Sequence, residues 1–155
     1  IAKIEILFNG KPINFDKLNN LFNLEENDDF KLLKNIAISG KKKETNKFLS
    51  RTFFEDNKLA YYMATINQTF LRLKEVNKNN KENIEKRIDQ LKPPIFWKDK
   101  SVFIEQAKLW NTKKINYILN LTYNLEIMVK SNVQINKKIV LKKLLIDICN
   151  LANAA

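Results

Sequence analysis

The chain has 155 residues and is 45% hydrophobic, enough for one ordinary domain with a core of its own. Its 28 basic residues against 17 acidic ones give a formal charge of +11, which suits an anionic partner or a lysine-rich solvated surface. No histidine, one cysteine and two glycines exclude the commonest general base, a thiolate metal cluster, an internal disulfide and a glycine-rich phosphate loop.

A chain that starts at Ile1 reads as a piece of a longer protein. Ile1 to Phe8 is apolar, and Asn9-Gly10 followed by Pro12 stops it. Asn14 can cap a short helix over Phe15 to Phe22. The acidic run Glu25-Glu26-Asn27-Asp28-Asp29 then marks a boundary and offers caps and negative charge to the next helix. Residues 1–28 are therefore expected to form one small unit and residues 29–155 the main one.

Phe30, Leu33, Ile36 and Ala37 make one helical stripe that Ser39-Gly40 ends. After Lys41-Lys42-Lys43, a solvated helix start, Phe48, Leu49, Thr52 and Phe53 share a face. Asp56 is a good cap for a long helix over Asn57 to Val76. Its stripe is Leu59, Tyr62, Met63, Ile66, Phe70 and Leu73. Asn77 to Lys81 reads as a polar loop, the most mobile part. A short helix carrying Ile84, Ile88 and Leu91 follows it.

Pro93-Pro94 is a stiff extended corner, since Pro93 pushes Lys92 out of the helical region and neither proline donates a backbone hydrogen bond. Ile95, Phe96 and Trp97 follow without a polar residue and are expected to be buried. Ser101 can cap the next helix, or Lys98-Asp99 can begin it. Phe103, Ala107 and Trp110 then lie on one face. Pro93, Pro94, Phe96, Trp97 and Trp110 thus read as a structural corner pinned by aromatic rings.

Asn111 closes that helix or caps the next one, Lys113 to Lys130. Its stripe is Ile115, Ile118, Leu119, Thr122, Leu125 and Met128, widened by Tyr117 and Leu121. Glu126 and Lys130 stand in the favourable i, i+4 order. The last helix, Asn136 to Leu151, carries Leu141, Leu144, Leu145 and Ile148 inward. Val140, Ile146 and Cys149 extend its apolar surface beyond one stripe. Such a helix needs contacts on more than one side. Val140, Leu144, Ile146 and Cys149 are accordingly candidates for a subunit interface. Lys142, Lys143 and Asp147 interrupt this run, so it cannot span a membrane. With no signal peptide at its start, the chain reads as cytoplasmic.

The expected fold class is all-α, a helical bundle. Catalytic, cofactor-binding and metal-ligating residues are all expected to be none. The acidic run is better explained as capping charge than as an acid/base pair.

Several elements taken in order resemble the C-terminal part of the delta-subunit family of bacterial DNA polymerase III clamp loaders. They are Pro93-Pro94-Ile95-Phe96-Trp97-Lys98, the helix ending Lys108-Leu109-Trp110-Asn111, the helix carrying Glu126 and Lys130, and the leucine-rich helix from Leu141 to Leu151. Upstream, Ile4-Glu5-Ile6-Leu7-Phe8 with Pro12-Ile13-Asn14-Phe15 looks like the end of that family's AAA+ lid domain. Asp29 to Gly40 looks like the first helix of its collar. The likeness covers nearly the whole chain. It departs at Trp97, where a second Phe is commoner, and in its lysine-rich surface. It implies residues 1–28 as a lid remnant and residues 29–155 as a collar domain. The implied partners are the gamma/tau and delta-prime subunits. The sliding clamp would be reached only through an N-terminal domain outside this sequence, and DNA indirectly through the complex. The alternative reading is a basic helical nucleic-acid-binding domain.

Overall fold

The structure is a computed structural model and describes residues 28–78, 82–132 and 134–154. Among the described residues there are seven α-helices, one 3-10 turn and no strand, so the fold is an all-α bundle. The helices are α1 (Asp28–Ile38), α2 (Lys42–Arg51), α3 (Leu59–Asn77), α4 (Ile84–Asp89), α5 (Lys100–Leu109), α6 (Thr112–Ser131) and α7 (Lys137–Ala152). The expected apolar start, its stop at Gly10 and Pro12, the short helix over Phe15 to Phe22 and the linker residues Glu25 to Asn27 lie outside the described residues. So does most of the expected polar loop, at 79–81.

Helix α1 ends where Gly40 reaches φ +71°, a conformation that costs a side chain but not glycine. There the Gly40 amide donates to the Ala37 carbonyl (3.0 Å) and the Lys41 amide to that of Ile36 (3.2 Å), which satisfies two of the helix's last carbonyls. The same turn is tied to the far end of the chain, because Asn153 Nδ2 donates to the Gly40 carbonyl at 2.7 Å. Helices α1 and α2 both pack on α7.

Helix α2 stops at Arg51, and residues 52–55 run extended. Side chains alternate along extended backbone, so Thr52 and Phe54 point inward and Phe53 points out. The helical stripe expected to place Phe53 inside fails for this reason. Phe54 instead meets Phe30 and Tyr62, with centroids 6.4 Å and 5.8 Å away and nearly perpendicular rings. Asp56 opens a 3-10 turn, Asp56–Lys58, rather than capping α3, and no side chain caps that helix.

Helix α3 buries Leu59, Tyr62, Met63, Ile66, Phe70, Leu73 and Val76, and its largest neighbour is α6. The two run antiparallel. Asn77 Nδ2, at the end of α3, donates to the Trp110 carbonyl just before α6 (2.6 Å), and Thr122 Oγ1 bonds Asn67 Oδ1 mid-helix. Asn111 caps α6 by accepting from the Lys114 amide at 2.9 Å. Asn136 caps α7 by accepting from the amides of Lys138 (3.1 Å) and Ile139 (3.2 Å). Helix α7 touches α1, α2, α3 and α6, and its buried residues are Leu141, Leu144, Leu145, Ile148, Cys149 and Ala152.

Among the described residues no helix is long and apolar enough to cross a membrane.

Candidate functional site

The proline corner joins α4 to α5. The Lys92–Pro93 peptide bond is cis, and Arg72 of α3 donates from Nη2 to the Pro93 carbonyl. The chain then turns through Phe96 to Asp99, with the Asp99 amide donating to the Phe96 carbonyl at 2.9 Å. Helix α5 starts at Lys100. Neither Ser101 nor Asp99 caps it with a side chain, because the Asp99 carboxylate is turned to Lys31 of α1 (3.0 Å).

Only part of the aromatic cluster expected inside is buried. Trp110 is 2% exposed; its Nε1 donates to the Ile38 carbonyl at 2.8 Å, and its ring meets Phe70 edge to face at 4.7 Å. Phe96 and Trp97 are 55% and 73% exposed. This corrects the expectation that they are buried. Ile95 precedes the turn that carries Phe96 and Trp97, and only Ile95 packs against the core. The exposed rings lie 5.8 Å apart, and Lys98 Nζ sits 5.3 Å from the Trp97 ring. Pro93 and Pro94 are exposed as well.

The four candidate interface residues on α7 separate in the same way. Leu144 and Cys149 are buried in the core and offer nothing to a partner, which corrects that expectation; Cys149 Sγ accepts from Thr45 Oγ1 at 3.5 Å. Val140 is half-buried, and only Ile146 is substantially exposed. The extra apolar surface of α7 is covered by α1, α2 and α3 of its own chain.

The exposed apolar face lies on α6 instead. Tyr117 and Tyr123 are 59% and 64% exposed, and Ile127 and Met128 share their side of the helix. Asn116, Asn120 and Asn124 complete that side. From Ile115 to Leu125 the sequence has no charged residue, in a chain where 29% of residues are charged. Reading α6 as one inward stripe hid this face, but the charge-free run was visible in the sequence. Glu126 and Lys130 form the expected pair at 2.6 Å, at the edge of the face.

A second feature is a cleft of about 360 Å³ between α1, α3, the proline corner and α5. Its basic groups, Lys31, Lys34 and Arg72, come from α1 and α3. Its apolar wall, including Pro94, Ile95, Phe96 and Phe103, comes from the corner and α5. Gln106, buried in α5, donates from Nε2 to the Asn35 carbonyl (3.3 Å) and to Ser39 Oγ (3.4 Å).

Among the described residues no group of three or more Cys, Asp and Glu side chains is placed to hold a metal ion. Compared with protein-family models, with curated proteins and with solved structures, the chain matches none.

Proposed function

We propose that this bundle is an assembly domain, the collar part of a delta-type subunit of a bacterial clamp loader. In that role it helps to hold together the heteropentamer that loads the sliding clamp onto primed DNA. One observation carries this reading: the outer face of α6 presents Tyr117, Tyr123, Ile127 and Met128 among neutral asparagines, on a strongly basic molecule. Protein interfaces are enriched in Tyr and Met and depleted in Lys and Glu, and a surface that avoids lysine in a lysine-rich chain suits a protein partner better than a phosphate backbone. The order of elements around Pro93, Trp110 and the leucine-rich α7 supplies the choice of family.

On this reading the partners are the gamma/tau and delta-prime collars, and the setting is cytoplasmic. Clamp binding belongs to the N-terminal domain that the resemblance places outside this sequence, and the piece itself performs no catalysis. The test is capture of purified gamma/tau and delta-prime collar domains, which should persist at high salt and disappear with Tyr123→Lys or Ile127→Lys. Capture that survives both substitutions would remove α6 from the interface. No capture at all would remove the assembly role.

A second reading, a nucleic-acid contact, is favoured by the exposed Phe96–Trp97 pair beside Lys98. Aromatic rings open to solvent next to cations stack unpaired bases, typically for about 1–3 kcal/mol per base. Binding of that kind falls steeply with log salt, which separates it from an apolar collar contact. A DNA titration at two salt concentrations, with and without Trp97→Ala, decides whether it operates.

A further inference from the structure

We infer that the outer face of α6 also pairs with a second copy of this chain, as an antiparallel two-fold dimer centred on Asn120. The inference rests on the reading of α6 as a protein-binding face, but not on the choice of partner subunit. It is carried by the run Asn116-Tyr117-Ile118-Leu119-Asn120-Leu121-Thr122-Tyr123-Asn124. Outward from Asn120, a tyrosine and then an asparagine recur at the same spacing in both directions. Tyr117, Asn120, Tyr123 and Asn124 are exposed and Asn116 is half-buried, while Ile118 and Thr122 are buried in the core. The residues that mirror one another in kind are thus the ones a partner can reach.

At about 100° and 1.5 Å per residue, Tyr117 and Asn124 fall on one flank of Asn120, and Asn116 and Tyr123 on the other. A two-fold axis lying across the helix reverses its direction and keeps each flank on its own side. Tyr117 then meets Asn124 of the second copy, Tyr123 meets Asn116, and Asn120 meets itself. A two-fold contact needs this self-complementarity, because the same patch serves on both sides. Each meeting is also a chemical match. A phenol O–H donates to an amide oxygen, and an amide both donates and accepts, so two copies of Asn120 satisfy each other.

Charge favours the same occupant. Two copies of a chain with a formal charge of +11 repel over most approaches, but from Ile115 to Leu125 neither copy brings a charge. The direction of pairing follows from the ends of the run. A parallel pair would set the exposed Lys113 against its own copy, whereas the antiparallel pair turns it toward the end that carries Glu126. One helix face offers less than the ~800 Å² per partner of a standard interface, so the dimer is expected to have a dissociation constant of about micromolar or weaker.

The experiment is analytical ultracentrifugation of the full 155-residue chain from micromolar to millimolar concentration, at low and high salt. The expected result is a monomer–dimer equilibrium that tightens as salt rises, because salt screens the like charges around the neutral face. Asn120→Lys and Asn120→Asp should each weaken the dimer about tenfold or more, since identical charges then meet on the axis. Mixed in equal amounts, the two variants should pair at least as tightly as the unaltered chain. Asn120 is exposed, so both should keep the unaltered unfolding curve, and a merely structural role would give no such rescue. Tyr117→Asp mixed with Asn124→Lys tests the direction: the mixture should associate more tightly than either variant alone. A chain that stays monomeric at millimolar concentration, a dimer indifferent to Asn120, or either mixture without gain would overturn the inference. Capture of a collar partner through α6 by a chain that never dimerises would overturn it and leave the assembly role standing; dimerisation without any capture would do the reverse.

Discussion

Trp110 joins three elements at one point. Its indole N–H satisfies the Ile38 carbonyl at the end of α1, its own carbonyl accepts from Asn77 at the end of α3, and its ring fills the space beside Phe70. Trp110→Ala should cost about 3–5 kcal/mol in urea unfolding through the cavity it leaves. Trp110→Phe keeps much of the ring but strands the Ile38 carbonyl, and should cost about 1–3 kcal/mol. Gly40 is constrained in a different way. A Cβ there would lie 2.9 Å from Asn153 Nδ2 and 3.2 Å from Ala152 Cβ, on a backbone already at φ +71°. Gly40→Ala should therefore cost about 1–2 kcal/mol by the same measurement, mostly from the left-handed conformation. Lys58 shows a weaker coupling: its hydrogen bond to Glu55 Oε1 at 2.8 Å holds its pKa above the usual 10.5. The contribution is complete below that value and is lost as pH rises through the folded pKa, so this contact weakens only in alkali.

At the scale of the element, sequence patterns were reliable where a helix is long and its neighbours lie on one side. The stripe of α3 from Leu59 to Leu73 is buried as its spacing requires, and Asn111 takes the second of its two expected roles by capping α6; Asn136, expected inside the last helix, caps α7 instead. Replacing either asparagine by alanine should cost about 1 kcal/mol in the same unfolding measurement. Patterns failed where the backbone leaves the helix. Phe53, expected inside, turns outward and Phe54 inward because the chain is extended there, and Phe96 and Trp97 turn outward because a run of apolar residues does not report which way a turn points its side chains. Composition alone also could not say which surplus apolar face is covered. Helix α7 is the more apolar, yet its own chain encloses it. Helix α6 looked like an ordinary amphipathic helix, yet it leaves tyrosines in water. Burial depends on how many helices surround an element, and no window of sequence reports that number.

On the scale of the whole molecule, the fold is held by helix packing, with its one cysteine unpaired. Burying a large aliphatic or aromatic side chain contributes roughly 1.5–3 kcal/mol, and the buried residues of α1, α3, α6 and α7 form one contiguous core. Surface charge pairs such as Lys100–Asp89 at 2.6 Å add little to this. The surface then divides by charge. Among the described residues exposed lysines are spread over several helices, the outer α6 face is neutral, and the Phe96–Trp97 corner sets aromatic rings beside Lys98. That division lets the two ways of binding be tested separately. Substitutions on α6 should change protein capture and leave salt-sensitive DNA binding alone, while Trp97→Ala should do the opposite. Because Tyr123 and Ile127 are solvent-exposed, changing them should alter stability by no more than about 0.5 kcal/mol.

The most direct measurement is the affinity of this domain for a gamma/tau collar at low and high salt, with the Tyr123→Lys variant alongside, its unfolding curve recorded to show that it remains folded. A salt-tolerant complex with the unaltered domain that weakens at least tenfold in the folded variant is the expected result. An affinity that collapses with salt, or that the substitution leaves unchanged, would contradict the α6 face as the surface through which the protein assembles.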